Sequence, residues 1–80
     1  MSEVKEKVEA YILENTFEDK SKIKVDTMIF KEGFFDSMGF ALLLGFLEEA
    51  FGIVPDDADL VEENFESINA ITEFVAKKAA

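Results

Sequence analysis

The chain has no cysteine and no histidine among its 80 residues. Without cysteine there is neither a disulfide nor a thiolate metal site, and without histidine the commonest general base and metal ligand is missing. Basic residues are also scarce, because 8 Lys and Arg stand against 18 Asp and Glu, which gives a net charge of −10. We therefore expect no nucleic-acid binding, since nucleic-acid phosphates would be repelled, and we expect basic partners instead.

Long hydrophobic runs are missing as well. The longest uncharged stretch, residues 37–47, is too short to cross a bilayer, and the chain starts with an acidic, amphipathic segment unlike a signal peptide. We expect a cytoplasmic, monomeric protein without membrane insertion. Residues 1–80 are predicted to form one domain with a small core.

The positive charges are distributed unevenly. No basic residue lies between Lys31 and Lys77, although that interval holds most of the carboxylates. Two explanations of this uneven charge are open. The carboxylates keep the protein soluble, or they form a negative surface that steers a basic partner toward Ser37. Charge alone leaves both interpretations open.

The hydrophobic pattern predicts an all-α protein, a small four-helix bundle of three main helices and one short helix. The first helix spans residues 3–17 with Ser2 as its N-cap, and the last helix follows a Ser67 N-cap. The apolar positions of these two helices are Val4, Val8, Tyr11 and Ile12, and Ile68, Ile71, Phe74 and Val75.

Two connecting segments separate the main helices. Residues 18–36 form a long loop between helices 1 and 2, and a loop of this length is expected to be functional or internally packed. Its apolar residues predict that it packs on the core, with one helical turn near residues 27–30. The short third helix is predicted between residues 56 and 64, with Leu60 and Val61 as its anchors.

The second helix, residues 37–51, is apolar on nearly every side until Glu48 and Glu49. Such a helix is either buried all round or presents a contact surface, and an 80-residue bundle cannot easily bury every side of it. Its glycines, Gly39 and Gly45, each cost about 1 kcal/mol relative to alanine. The composition therefore indicates a contact surface or a cavity lining on this helix.

Asp36 and Ser37 lie where the loop gives way to the second helix. Both are preferred capping residues, because their side-chain oxygens accept hydrogen bonds from free backbone N–H groups. We expect the Ser37 hydroxyl at the surface beside a helix N-terminus, which favours a covalently attached phosphate. The alternative is that Ser37 only caps the helix. Phe34 and Phe35 are more typical of packing than of a binding lip.

The residues around Ser37 do not support catalysis by the chain itself. A serine nucleophile needs an adjacent base, and the nearest lysine, Lys31, has no partner motif. The acidic pair Asp57 and Asp59 lacks the glycine and the spaced glutamate of a calcium-binding loop. We therefore expect no catalytic residue and no specific metal site.

A longer pattern extends from Gly33 to Val75. Its matching residues are Gly33, Phe34, Phe35, Asp36, Ser37, Met38, Leu43, Leu47, Glu48, Glu49, Phe51, Gly52, Ile53, Pro55, Asp56, Glu63, Asn64, Phe65, Ser67, Ile68, Ala70 and Ile71. In this pattern the chain resembles the acyl carrier protein family, and the first helix extends the likeness over nearly the whole chain. The resemblance implies a four-helix bundle whose Ser37 receives 4′-phosphopantetheine from coenzyme A through a separate phosphopantetheinyl transferase with Mg²⁺.

The resemblance also implies a function without catalysis. The thiol of the arm would carry acyl groups as thioesters and deliver them to enzymes of fatty acid, lipid or polyketide-type biosynthesis that have basic docking patches. It would supply the sulfur that the chain itself lacks. The residues expected to take part in partner recognition are Asp36, Met38, Phe40, Glu48, Glu49, Glu62 and Glu63.

The sequence departs from the fatty-acid-synthesis carriers early in the second helix. Where those carriers usually have acidic residues, this chain has Gly39, Phe40 and Leu42. We therefore expect a specialised carrier whose partners recognise an apolar surface, Phe40 included, as well as charge. The run from Asp36 to Gly39 also resembles D-alanyl carrier proteins, so an aminoacyl cargo is an alternative. An alternative from another class is an unmodified acidic helical adaptor that binds partner helices.

Overall fold

The computed structural model describes residues 2–16 and 20–79. The described residues form an all-helical bundle without strands, as predicted. Its elements are α1 (Ser2–Asn15), α2 (Ser37–Phe51), α3 (Glu62–Phe65) and α4 (Ile68–Ala79), with short 3₁₀ helices at Lys20–Lys22 and Asp57–Asp59. Helix α1 ends at Asn15, before the predicted end at residue 17, which lies outside the described residues. The predicted capping by the Ser2 side chain also lies outside what the structure describes.

Helix α4 occupies the centre of the bundle and packs against the three other helices. Its predicted apolar face is confirmed, because Ile68, Ile71, Phe74 and Val75 are all buried. The Ser67 hydroxyl accepts a hydrogen bond from the backbone N–H of Ala70 at 3.1 Å, which confirms the predicted N-cap. The core of this small protein is therefore organised around its last helix.

The connector between α1 and α2 is pinned to the core, as predicted. Ile29 is completely buried, and its backbone N–H donates to the Glu66 carbonyl at 2.9 Å. The Val25 carbonyl accepts from the Asn69 N–H at 2.9 Å. These bonds satisfy backbone groups that a buried loop would otherwise leave unpaired.

The helical turn predicted near residues 27–30 is not formed as a helix. The connector's 3₁₀ helix lies earlier, at Lys20–Lys22. Residues 29–33 instead form hydrogen-bonded turns, which end at Gly33 with a φ of 85°. The Ile29 carbonyl accepts from the N–H groups of both Phe34 and Phe35, so the chain reverses here instead of continuing as a helix.

The predicted short third helix is present, but it lies at Glu62–Phe65, later than the predicted residues 56–64, and the predicted anchors are wrong. A 3₁₀ turn at Asp57–Asp59 is followed by the separate helix α3. Asp56 and Asp59 hydrogen bond to each other's backbone N–H, which closes the first turn as a capping box. Leu60 and Val61 then leave the helical conformation and are 42% and 47% exposed, whereas Phe65, at 1%, is the buried anchor.

No helix among the described residues is long and apolar enough to cross a membrane.

Candidate functional site

The N-terminus of α2 is capped by Asp36, not by Ser37. The Asp36 backbone is extended, and its carboxylate accepts a hydrogen bond from the Gly39 N–H at 2.9 Å. Ser37 is the first residue of the helix, and its side chain is exposed. The structure therefore places the Ser37 hydroxyl at the surface, outside the capping hydrogen bond.

A second serine at a helix start shows what a capping serine looks like in this fold. Ser67 is 6% exposed, and its hydroxyl forms the capping hydrogen bond of α4. Ser37 differs from it in exposure and in leaving the cap to its neighbour Asp36. Of these two serines at helix starts, Ser37 is the one that an external enzyme could reach.

Phe34 and Phe35 hold the start of α2 against the core. They are 8% and 4% exposed, which confirms the packing role expected of them. The Phe35 ring lies directly over Gly39, where an added Cβ would be 2.7 Å from Cδ2 of Phe35. Glycine at position 39 thus allows the ring and the helix backbone to approach closely.

An apolar cavity of about 310 Å³ lies beside Ser37, between α2 and α3. The ring of Phe40 makes edge contacts with Phe30 and Phe65, at centroid distances of 5.7 and 5.3 Å. The cavity is lined by Phe30, Ser37, Phe40, Leu60, Val61, Glu62 and Phe65. Sequence reasoning missed the contribution of Phe30, since nothing local in the sequence links the connector to α3.

Phe40 is partly buried and lines this cavity, so it is not among the fully exposed apolar side chains of α2. Its position relative to Leu43 and Leu47 explains this, because residues three and seven apart share one face of a helix and those two leucines are fully buried. The exposed apolar side chains of α2 are instead Met38 and Leu42, at 72% and 59%.

The expected acidic recognition residues fall into two groups. Glu62 lines the cavity with Ser37, while Glu63 beside it is exposed. Glu48 and Glu49 are exposed near the other end of α2, about 16 to 18 Å from Ser37 along the helix axis. The structure therefore brings only Asp36, Met38, Phe40 and Glu62 into the neighbourhood of Ser37.

An ion pair fixes the loop that forms one wall of the cavity. Lys78 Nζ lies 2.6 Å from Asp59 Oδ2 and 3.9 Å from Asp56 Oδ2. The hydrogen bond from Lys78 lowers the pKa of Asp59, and the same contact raises the pKa of Lys78. Nothing in the local sequence links Lys78 to Asp56 and Asp59, which lie about 20 residues earlier in the chain.

Within residues 2–16 and 20–79, no group of three or more acidic side chains is arranged to hold a metal ion. Comparison with protein-family models and with curated proteins gives no match for this chain.

Proposed function

We propose that this protein is an acyl carrier protein that bears 4′-phosphopantetheine on Ser37. The observation that carries the proposal is the exposed Ser37 hydroxyl at the first position of α2, with capping left to Asp36. A phosphodiester at this position would lie next to the free N–H groups of the helix, where negative charge is favoured. In this proposal the protein is not an enzyme and acts in the cytoplasm with enzymes that modify and use it.

The residues around Ser37 suit the attached group chemically. The serine oxygen would attack the β-phosphorus of coenzyme A and displace adenosine 3′,5′-bisphosphate, with the serine proton accepted by a base of the phosphopantetheinyl transferase. The proposal assigns this base to the transferase, because the chain has no histidine, the commonest general base. The thiol at the end of the arm carries the cargo.

The cavity beside Ser37 favours an acyl cargo over an aminoacyl one. Its lining is almost wholly apolar, and its one charged residue, Glu62, is exposed. A hydrocarbon chain gains free energy when it leaves water for such a lining, whereas the ammonium group of an aminoacyl cargo would lose hydration. The proposal therefore places the protein with enzymes of fatty acid, lipid or polyketide-type biosynthesis.

The test is a mass measurement of the intact protein after incubation with coenzyme A, Mg²⁺ and a broad-specificity phosphopantetheinyl transferase. The wild type and Ser21→Ala should each gain one phosphopantetheine, and Ser37→Ala should gain none. Ser21 is a matched control because it is an exposed serine outside the α2 terminus. Circular dichroism checks that both variants keep the helical fold.

Two results would contradict the proposal. One is modification of Ser37→Ala to the wild-type extent, which would place the group elsewhere. The other is the absence of any mass gain with both the broad-specificity transferase and the transferase of the protein's own host. The second result would favour the unmodified adaptor.

A further inference from the structure

The cavity between α2 and α3 has one side that is fixed by ring contacts and one side that is not. Phe30, Phe40 and Phe65 form the fixed side, because the Phe40 ring makes edge contacts with the other two rings. Leu60 and Val61 form the other side, the outer wall, and are 42% and 47% exposed. A change in the size of the cavity would therefore come from the segment that carries the outer wall.

The outer wall is attached to the part of the bundle that surrounds α4. Helix α3, which follows the outer wall, packs extensively on α4 and only sparsely on α2. Asp59, which precedes the wall, holds it in place. The Asp59 carbonyl accepts hydrogen bonds from the Val61 N–H and from the Asn64 side-chain amide, both at 2.8 Å. The position of the outer wall therefore depends on what anchors Asp59.

Lys78 anchors Asp59 to the last turn of α4. Lys78 Nζ lies 2.6 Å from Asp59 Oδ2, and the same oxygen accepts a hydrogen bond from the Asp56 N–H at 3.2 Å. The Asp56 carboxylate is the second partner of Lys78, with Oδ2 at 3.9 Å from Nζ. The ion pair therefore joins the start of the outer wall to the central helix of the bundle.

This ion pair is weak enough to open and close. The side chains of Lys78 and Asp59 are 34% and 20% exposed, and an ion pair in contact with water is worth little more than thermal energy. The contact therefore biases the outer wall toward the closed position without locking it there. A cavity of about 310 Å³ is at the small end of ligand sites, so a longer apolar chain needs the wall to yield.

We propose that Lys78 is a positioning residue for this cavity. Through Asp59 it holds Leu60 and Val61 toward α2, and it thereby limits the length of the apolar chain that the cavity accepts. The inference rests on the proposed function, because it takes the cavity as the site of the acyl cargo, and it assigns short acyl chains to that site. Lys78 is not among the lining residues, so it acts through Asp59 and not by touching the cargo.

The test measures the binding of two linear alcohols, hexanol and decanol, to the unmodified protein by NMR titration. The methyl resonances of Leu60 and Val61 report on the cavity, and those of Leu42, which lies outside the cavity lining, report on binding elsewhere. The measured quantity is the Kd for hexanol divided by the Kd for decanol. In Lys78→Met this ratio should rise about threefold over the wild type, which is the effect expected of a partly exposed ion pair.

Matched variants separate positioning from a general loss of charge. Asp59→Asn removes the ion pair from its other end but keeps an oxygen that accepts from the Asp56 N–H, so it should raise the ratio by the same factor. Combining it with Lys78→Met should add nothing further. Lys78→Arg keeps the cation and should restore the wild-type ratio. Lys77→Met removes a charge from the same turn of α4 and should keep the wild-type ratio.

Three results would overturn the proposal. The first is a wild-type ratio in Lys78→Met, which would leave the ion pair with a stabilising role alone, even if the Tm of the variant were lower. The second is an equal rise of the ratio in Lys77→Met, which would make net charge the cause. The third is the absence of alcohol-induced shifts at Leu60 and Val61, which would mean that the cavity accepts no apolar chain. Circular dichroism checks that each variant is folded.

Failure of this inference and failure of the carrier proposal are distinguishable. The alcohols are free ligands and the protein is unmodified, so the ratio does not depend on an arm attached to Ser37. A protein that gains phosphopantetheine but shows no change of the ratio in Lys78→Met keeps the carrier function and loses this role of Lys78. The length effect without any mass gain would show that the cavity selects apolar chains in an unmodified protein.

Discussion

The two sides of helix α2 are built from the same kind of residue but pack differently. On the α3 side, Phe40 contacts Phe30 and Phe65 through ring edges, and Phe65 makes a further edge contact with Phe74. On the α1 side, Tyr11 and Phe46 stack face to face, and Phe46 makes an edge contact with Phe51 of the same helix. The first side connects four segments of the chain through successive rings, while the second joins only two helices.

This difference affects both how much each side of α2 stabilises the fold and what surface each side leaves open. Edge contacts arranged at steep angles join neighbouring segments, and the cavity beside Ser37 lies open to solvent next to them. On the α1 side, the Tyr11–Phe46 stack and the contact of Lys7 with the Phe51 ring bridge two helices, and an open groove lies between these helices. The α3 side should therefore contribute more to folding, and the α1 side should be more tolerant of substitution.

The variants Phe65→Ala and Phe46→Ala compare the stability of the α3 side with that of the α1 side, and we expect the largest effect from Phe65→Ala. Phe65 is 1% exposed, so its truncation should lower the free energy of unfolding by about 3–5 kcal/mol. Phe46 is only partly buried, and its truncation should cost less than half as much. Urea unfolding followed by circular dichroism measures both, and equal losses would remove the distinction between the two sides.

The two glycines of α2 should respond to alanine in opposite directions. Gly45→Ala should raise the free energy of unfolding by up to about 1 kcal/mol, because its Cβ meets open space and alanine favours the helix. Gly39→Ala should lower it by about 1–2 kcal/mol, because the buried Phe35 ring must shift. Denaturant midpoints with unchanged slopes would give both values. A stabilising Gly39→Ala would show that the Phe35 packing is loose.

Loss of the α2 cap should have a somewhat smaller effect. Asp36→Ala removes the hydrogen bond to the Gly39 N–H and should cost about 1 kcal/mol, while Asp36→Asn should retain most of the stability. Thermal unfolding of the two variants side by side separates capping from charge. Equal losses in both would indicate that the negative charge of Asp36, acting on the helix dipole, is the main contribution.

The smallest expected effect is on the pH dependence of the Tm, through the ion pair in the loop that borders the Ser37 cavity. Because Lys78 lowers the pKa of Asp59 below its ordinary value of 3.8, the pair stabilises the fold above that value and stops doing so as the pH falls through the lowered pKa. Asp59 raises the pKa of Lys78 above 10.5. At alkaline pH the stabilisation by this ion pair is therefore lost only as the pH rises through that raised pKa. The Tm of Lys78→Met should therefore fall less between pH 4 and pH 2 than that of the wild type.

Lys77→Met is the matched control for that measurement. It removes the same charge from the same last turn of α4 but leaves the contacts of Lys78 with Asp56 and Asp59 in place. Its Tm should follow the acid dependence of the wild type. If both variants lost the dependence equally, general charge repulsion and not this ion pair would be its source.

Local signals in the sequence were sufficient for the main helices. The apolar spacing of α4, the Ser67 cap and the end of α2 at Gly52, which has a φ of 68°, all follow from interactions between near neighbours along the chain. The same local signals placed Ser37 at a helix start. They failed at residues 56–64, where the mutual capping of Asp56 and Asp59 closed the helix after one turn and turned Leu60 and Val61 outward.

The sequence by itself determined the helical class, the acidic surface and the position of an exposed serine at the start of α2, because these depend on composition, on side-chain periodicity and on capping chemistry. Only the tertiary structure decided on which side of α2 each aromatic residue packs. Phe30 reaches Phe40 from the connector, Lys78 reaches Asp59 from the last helix, and Gly45 is left open beside the Tyr11–Phe46 stack. Such contacts join residues far apart in the chain, and their geometry depends on how whole helices pack.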